Sequence, residues 1–178
     1  MRNLEVINKL LLMTSSIDTP LGAMTVIASG DALYLLEFSD CLKLEEKISR
    51  LQKQLNPSII PGTNKTIISL ETELRAYFDG TGIVFQTPLF LSGSLFQNRV
   101  WNTLCQIPFG ETRSYSEQAL AIEHPKAVRA VANANGANRL AIVIPCHRII
   151  NTNGTLGGYA GGVARKQWLI QHEKRITR

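Results

Sequence analysis

A run of five apolar residues that stops at a proline is the feature that most constrains how this chain folds. The run extends from Leu140 to Ile144, and Pro145 follows it directly. A short apolar run of this kind is typical of a strand buried on both faces. Proline ends strand pairing because it has no backbone N–H to donate. The sequence therefore predicts a buried strand at 140–144 that leads Cys146 into a bend.

Cys146 is followed directly by His147 and Arg148. The thiolate is the reactive form of cysteine, and a neighbouring imidazole or guanidinium favours it. Most free cysteines, however, are small core residues without a chemical role. Adjacent residues on a strand also point to opposite faces, so the adjacency of Cys146 and His147 does not by itself make a catalytic pair. The local pattern leaves both a nucleophile and a core thiol open.

The charges are distributed unevenly along the chain. Residues 1–93 contain 8 Lys or Arg and 10 Asp or Glu, a net charge of −2, whereas residues 94–178 contain 11 and 4, a net charge of +7. A basic half favours a polyanionic partner such as nucleic acid. Ordinary surface solubility explains the same charge equally well. The pattern therefore indicates only where such a partner would bind.

The three cysteines, Cys41, Cys105 and Cys146, are widely spaced and form no Cys-x-x-Cys motif. Neither a structural metal site nor a disulfide framework is therefore expected. Unpaired thiols are typical of a reducing compartment. The apolar stretch at 10–13 is too short to cross a membrane, and no signal-peptide cleavage site follows it. These observations predict a cytoplasmic protein without a membrane segment.

The first part of the chain, residues 1–90, is predicted to form one small mixed α/β domain. A meander of three strands and two helices with regular apolar spacing is expected at 12–17, 24–28, 33–38, 42–55 and 66–78. Asp40 is the predicted cap of the first helix, and a further strand is predicted at 83–85. A segment with proline and glycine at 87–94 is the expected linker. This part of the sequence contains no motif that indicates chemistry.

The second part, residues 94–178, is predicted to contain a helix-turn-helix. Ser94 and Gln97 fit a capping box that opens its first helix. Two short helices follow across a tight turn. The second of them, at 126–134, contains mostly small residues, with Arg129 as the long side chain at its centre. Small residues let a helix approach a nucleic-acid groove closely, and they equally allow tight packing against another helix.

Further motifs follow one another in order through this second part. They are Phe96-Gln97-x-x-Val100-Trp101, Ile107-Pro108-x-Gly110, Ser114-Tyr115, Ala127-x-Arg129-Ala130-Val131, Asn138, Ile144-Pro145-Cys146-His147-Arg148, Gly158-Tyr159-x-Gly161-Gly162 and Lys166-x-Trp168-Leu169-x-x-His172-Glu173. Together they resemble the O6-alkylguanine-DNA alkyltransferases, also called methylated-DNA–protein-cysteine methyltransferases. Residues 1–93 match this family's N-terminal domain only in length and pattern. The resemblance favours a reactive Cys146 over a core thiol.

The resemblance implies an α/β (α+β) fold in two domains. Residues 1–90 would form a small ribonuclease-H-like domain, in which helices pack on a mixed sheet. Residues 94–178 would form a catalytic domain of the helix-turn-helix, winged-helix-like type, which binds DNA and carries the alkyl acceptor.

The resemblance also implies a DNA repair protein that directly reverses O6-alkylguanine and O4-alkylthymine lesions. In this family the thiolate takes the alkyl group in one displacement and keeps it, so each molecule acts once. No cofactor or metal takes part. The expected partner is double-stranded DNA containing O6-alkylguanine, bound through its minor groove by a monomer. The alternative is a non-catalytic alkyltransferase-like protein that only binds the lesion, but such relatives lack the acceptor cysteine, which is present here as Cys146.

Catalytic roles are carried over from the family to four residues. Cys146 is the acceptor, and Glu173 activates it through His147 and a bridging water. Tyr115 protonates the leaving guanine. Because a water would bridge the two side chains, Cys146 and His147 need not be in direct contact, and they can point in different directions.

The resemblance also assigns residues to DNA and to the substrate pocket. The second helix lies in the minor groove, the target base is flipped out, and Arg129 fills its place. Asn138 is the hinge between this helix and the nucleophile, and it counts among the pocket residues. The remaining positions are Ser114, Ala127 and Ala130 for DNA, and Ile149, Tyr159 and Ala160 for the pocket. Ala160 stands where some members have serine, but its role there is assigned to the backbone amide.

Overall fold

Three antiparallel strands form the meander predicted near the start of the chain. In the computed structural model, which describes residues 9–177, they are β1 (Leu11–Ile17), β2 (Met24–Ala28) and β3 (Leu33–Phe38). A fourth strand, β4 (Ser58–Pro61), pairs in parallel with β1, so the sheet order is β3-β2-β1-β4. Every residue of β3 is buried although it is an edge strand of this sheet. Another segment must therefore cover its outer edge.

Two helices accompany this sheet, as the sequence predicted. α1 (Leu44–Leu55) contacts β3, and α2 (Lys65–Asp79) contacts β2. The prediction that Asp40 caps α1 is wrong. The helix starts after Lys43 without a side-chain cap, and Asp40 instead forms two hydrogen bonds of 2.7 and 2.8 Å with Arg165. The carboxylate of Asp40, which the local pattern assigned to the start of α1, forms an ion pair with a residue far away in the sequence.

The second part of the chain is mainly helical. It contains α3 (Leu95–Cys105), α4 (Tyr115–Ala121), α5 (Val128–Gly136) and α6 (Val163–Ile176). Two short parallel strands, β5 (Arg113–Ser114) and β6 (Ile149–Ile150), pair between them. The capping box of Ser94 and Gln97 at the start of α3 is confirmed. The two short helices predicted across a tight turn are confirmed as α4 and α5, which contact each other.

Buried hydrogen bonds fix the position of α5. The indole Nε1 of Trp101 donates to the carbonyl oxygen of Ala134 at 2.9 Å. The side chains of Gln118 and Asn135 bond to each other at 2.7 and 3.3 Å, which joins α4 to α5. Bonds of this kind in a dry interior are costly to break because the partners would stay buried and unsatisfied. The opposite face of α5, including Arg129, stays exposed.

The predicted strand at 140–144 is buried, but it is not a strand. The backbone forms successive turns, with a bond of 2.9 Å from the N–H of Ile144 to the carbonyl of Leu140 and a positive φ of 71° at Ile142. A single-turn 3-10 helix, Cys146–Arg148, follows. Apolar periodicity reports burial, and it cannot distinguish a buried turn from a buried strand. The strand predicted at 83–85 is also wrong, because these residues adopt no regular structure.

The mixed α+β fold class is confirmed, with a small sheet and helices that share one hydrophobic core. The finer ribonuclease-H-like and winged-helix descriptions stay predictions. Within residues 9–177, no helix is both long enough and apolar enough to span a membrane.

Candidate active site

Cys146 opens the 3-10 helix at the wall of a cavity of about 440 Å³. Three further residues predicted from the sequence line the same cavity, namely Tyr115, Tyr159 and Ala160. The Nδ2 of Asn138 donates to the Cys146 sulfur at 3.3 Å, so the predicted hinge residue contacts the predicted nucleophile directly. The structure thus brings together residues that lie up to 45 positions apart in the sequence.

The thiol of Cys146 is not stabilised as a thiolate by its sequence neighbours. Burial raises the pKa of Cys146, while the hydrogen bond from Asn138 and the charge of Lys47 oppose this rise. The expectation that His147 and Arg148 favour the thiolate by adjacency is wrong. His147 and Arg148 both bond to Glu173, and Arg148 also donates to the carbonyl oxygen of Ile107; none of these bonds is to the sulfur. A protonated thiol in this position requires a base to remove its proton.

Glu173 is the centre of a buried hydrogen-bond network. Its carboxylate accepts from the Tyr77 hydroxyl at 2.9 Å, from His147 at 2.7 Å, and from Arg148 at 2.8 and 3.1 Å. The N–H of Gly110 adds a bond of 3.1 Å. Burial raises the pKa of Glu173, but the hydrogen bonds from His147 and Arg148 and the positive charge of Arg148 outweigh it and lower the pKa to about 2. The carboxylate is therefore ionised near neutral pH.

His147 is oriented by this carboxylate and is fully buried. Burial lowers the pKa of His147, against the opposing effect of Glu173, so the neutral imidazole is the relevant form. Because an ionised carboxylate can only accept, the Nε2 of His147 must donate, and Nδ1 keeps its lone pair. Nδ1 is buried and has no hydrogen-bond partner within residues 9–177. This nitrogen is suited to accept a proton.

Tyr115 and Tyr159 line the cavity, and their phenol groups can each donate a hydrogen bond. Burial raises the pKa of Tyr115, a negative charge on Cys146 would raise it as well, and burial raises the pKa of Tyr159 still further. Both phenols therefore stay protonated. Residues 156–162 form a glycine-rich loop that lies against Tyr115, since a Cβ at Gly157 would be 3.2 Å from its ring. Gly157 also has a φ of +66°, so this approach depends on glycine.

Comparisons with known proteins identify the family. A family model described as 6-O-methylguanine DNA methyltransferase, DNA binding domain, matches residues 95–175. The methylated-DNA–protein-cysteine methyltransferase of Mycobacterium bovis is 42% identical over 159 residues, which covers 89% of this chain and 90% of that protein. The chain belongs to the methylated-DNA–protein-cysteine methyltransferase family. The protein of the same name from Shigella flexneri is 40% identical over 167 residues, with 91% and 95% covered.

Solved structures of the methyltransferase family have the same fold. Mycobacterium tuberculosis OGT in complex with DNA superposes with a TM-score of 0.78 at 38% identity, and 94% of each chain is covered. The O6-methylguanine-DNA methyltransferase of Pyrococcus kodakaraensis has a TM-score of 0.67 at 22% identity, with 91% of this chain and 98% of that chain covered. This second likeness concerns the fold alone.

The residues that the methyltransferase resemblance assigned to DNA lie on or beside α5. Arg129 and Ala130 are exposed on this helix, and Ala127 is half-buried just before it. Ser114 is buried, and its hydroxyl caps α4 by accepting from the N–H of Glu117. A contact from Ser114 to DNA would therefore compete with a structural bond.

The pocket assignment of Ile149 differs from that of the other pocket residues. Its side chain is completely buried in β6, which pairs with β5. It is not among the described residues that line the cavity of Cys146. Ile149 is therefore a core residue in the structure, and its assignment to the pocket stays a prediction.

Sequence analysis missed several residues of the methyltransferase site. Lys166 is fully buried, donates to the carbonyl of Gly158 at 3.1 Å and so fixes the glycine-rich loop. Burial lowers the pKa of Lys166 to about 8, against the opposing effect of Cys146. The sequence signal that could have identified Lys166 is its place in the motif that ends in His172-Glu173. Leu42 and Lys43 also line the cavity, although the first part of the chain contained no motif that indicates chemistry.

Proposed function

We propose that this protein repairs DNA by transferring an alkyl group from O6 of guanine, or O4 of thymine, irreversibly to its own Cys146. The observation that carries this proposal is a thiol held at a cavity wall by Asn138, in the same structure as an ionised carboxylate paired with a neutral imidazole. Relatives at about 40% identity over most of the chain are named methylated-DNA–protein-cysteine methyltransferases. A family of self-alkylating repair proteins therefore accounts for both the geometry and the similarity.

The proposed chemical step uses only groups of the protein, the substrate and water. The thiol proton passes through a bridging water to Nδ1 of His147, whose conjugate acid is stabilised by Glu173. The sulfur of Cys146 forms a bond to the alkyl carbon while the bond from that carbon to O6 breaks. The electron pair leaves with the guanine, which takes a proton from Tyr115. The imidazolium of His147 then gives up its proton and the phenolate of Tyr115 regains one, both through water. Net exchange of a thiol proton for an alkyl group requires no cofactor.

The proposed substrate must leave the double helix before it reacts. O6 of guanine faces the major groove of a duplex, where a thiol recessed in a cavity cannot reach it. We infer that α5 enters the minor groove, where its small residues allow close approach, and that Arg129 replaces the flipped base. Two clefts beside α5 are lined by basic side chains. Lys126 lines one cleft, and the other is lined by Lys43, Arg50 and Arg139. These charges would bind phosphates of the two strands.

We also propose that the protein acts in the cytoplasm and as a monomer. The three cysteines are free thiols, which is typical of a reducing compartment. One chain supplies the proposed nucleophile, the pair of His147 and Glu173 that activates it, and α5. No second copy is therefore required for the reaction. The division into domains at 1–90 and 94–178 stays a prediction.

Intact-mass measurement tests this function. The protein is mixed with a small excess of duplex DNA that contains one O6-methylguanine. We expect each molecule to gain the mass of one CH2, the difference between a thiol and its methyl thioether, with the group located on Cys146. A protein that binds the duplex without gaining mass would instead be a non-catalytic lesion-binding protein. Product in excess of protein would show turnover and contradict a single-use acceptor.

Replacing Arg129 by alanine tests the proposed base flipping. Flipping costs a few kcal/mol, part of which an inserted side chain recovers. We expect Arg129→Ala to slow transfer from duplex DNA about 10- to 100-fold, a loss of about 1.4 to 2.8 kcal/mol. Transfer from the free base O6-methylguanine should stay near the wild-type rate, because that substrate needs no flipping. The matched control is Arg75→Ala, an exposed arginine on α2. Equal losses on duplex and free base would contradict the proposed role.

A further inference from the structure

We propose that Lys47, in the first part of the chain, is a positioning residue for the Cys146 nucleophile and acts through the backbone of Asn138. This inference rests on the proposed function, because it concerns the same alkyl transfer. It gives the N-terminal part of the chain a direct task at the reaction centre, where sequence motifs indicated none.

A buried ion pair holds Lys47 in place. The side chains of Lys47 and Glu37 are 6% and 1% exposed, and the ammonium of Lys47 donates to Oε2 of Glu37. The same ammonium donates to the carbonyl oxygen of Asn138, 91 positions further along the chain. The other oxygen of Glu37 accepts from the N–H of Phe38 at 3.0 Å. The buried side chain of Lys47 therefore connects α1 to Asn138, the predicted hinge residue.

Asn138 carries the connection on to the sulfur. Its Nδ2 donates to Cys146 at 3.3 Å and to the carbonyl of Ile144 at 2.9 Å, and its Oδ1 accepts from the N–H of Leu140 at 2.9 Å. The hinge residue therefore fixes both ends of the turn that presents the nucleophile. One residue separates Lys47 from the reacting atom.

The edge of the N-terminal sheet supports the same segment. The N–H of Leu36, in β3, donates to the carbonyl of Arg139 at 2.8 Å, and the N–H of Ala141 donates to the carbonyl of Leu36 at 2.8 Å. This segment covers the outer edge of β3 at Leu36, and residues 88–90 cover it at Leu33. The sheet therefore sets where the hinge lies, and Lys47 fixes the carbonyl next to that contact.

The geometry suits positioning rather than stability alone. A buried ion pair contributes little net stability, because desolvation offsets most of its attraction, but removing one partner leaves a costly unpaired charge. Two variants separate these effects. Lys47→Met leaves Glu37 unpaired, whereas Glu37→Gln/Lys47→Met removes both charges. In each variant the carbonyl of Asn138 loses its lysine donor.

The experiment measures single-turnover transfer from a saturating O6-methylguanine duplex across a range of pH, together with thermal unfolding. Lys47→Met should transfer about 10- to 100-fold more slowly, the effect of misplacing a reacting group. It should also raise the apparent pKa of transfer, since Glu37 is then uncompensated near the thiol. In the double variant, unfolding temperature and apparent pKa should return towards wild type while the maximal rate stays low. Lys166, Tyr115 and Tyr159, which also face the thiol, are unchanged in both variants.

Recovery of the wild-type maximal rate in the double variant would overturn the proposal and assign the pair a stabilising role only. If the double variant does not fold, the test is the transfer rate of Lys47→Met, measured well below its unfolding temperature. Slow transfer with wild-type DNA affinity supports positioning, and a wild-type rate refutes it. Lys65→Met is the control, because that lysine forms an exposed ion pair with Asp31. Failure of the proposed function would look different, since the wild-type protein itself would then gain no mass.

Discussion

Cys146→Ala is expected to abolish alkyl transfer and to leave duplex affinity close to wild type. The sulfur is the atom that forms the new bond in the proposed step, and alanine offers no nucleophile in its place. α5, which carries the proposed binding surface, is held by hydrogen bonds of Trp101, Gln118 and Asn135 that do not involve the sulfur. Removing a half-buried sulfur atom should change the free energy of unfolding by about 1 kcal/mol or less. Intact mass and fluorescence anisotropy with a labelled duplex measure the two properties separately.

The matched control is Cys105→Ala. Cys105 is an exposed thiol at the end of α3, so its replacement should leave transfer unchanged. The third thiol, Cys41, is buried and donates to the carbonyl of Ala160 at 3.4 Å, behind the cavity wall. A mass gain in Cys146→Ala would show that another residue is the acceptor. Parallel loss of transfer and DNA affinity would show that Cys146 acts on the structure rather than on the chemistry.

Local signals in the sequence predicted the helices well. The box of Ser94 and Gln97 and the small residues around Arg129 depend on neighbours within one or two turns, and both predictions agree with the structure. The run at 140–144 shows the limit of such reasoning. Its burial was predicted correctly, but its turns depend on Asn138, whose side chain binds the carbonyl of Ile144 and the N–H of Leu140. Hydrophobicity alone does not contain that information.

The supporting residues of the site could not be predicted in the same way. Tyr77 reaches Glu173 across 96 positions, and Lys47 reaches Asn138 across 91. In the sequence, Lys47 looks like one more charge on the solvent face of a helix. It is buried because β3 places Glu37 opposite it, a pairing that only the folded sheet creates. Motifs locate the reacting groups, whereas the groups that orient them become visible through tertiary contacts.

Glu173→Gln is expected to have the largest effect on stability. The carboxylate compensates the buried guanidinium of Arg148, which an amide cannot do, and breaking such a pair costs about 3 to 5 kcal/mol. Transfer should also slow by about 100-fold or more, because His147 loses the charge that stabilises its protonated form. Urea unfolding measures the first effect, and single-turnover transfer at a temperature where the variant is folded measures the second. Glu46→Gln is the control, since its ion pair with Arg50 is exposed and worth about 1 kcal/mol or less.

The pH dependence of stability separates Glu173 from a general effect of substitution. Its pKa is about 2 in the folded protein, against an ordinary value of 4.5. Its contribution is therefore present above about pH 4.5 and is lost as the pH falls from there through about 2, by about 3 kcal/mol once the pH lies below both values. Glu173→Gln should be less stable than wild type at neutral pH, and the difference should shrink over this acid range. A difference that stays constant between pH 7 and pH 2.5 would mean that the carboxylate is not held ionised by Arg148 and His147.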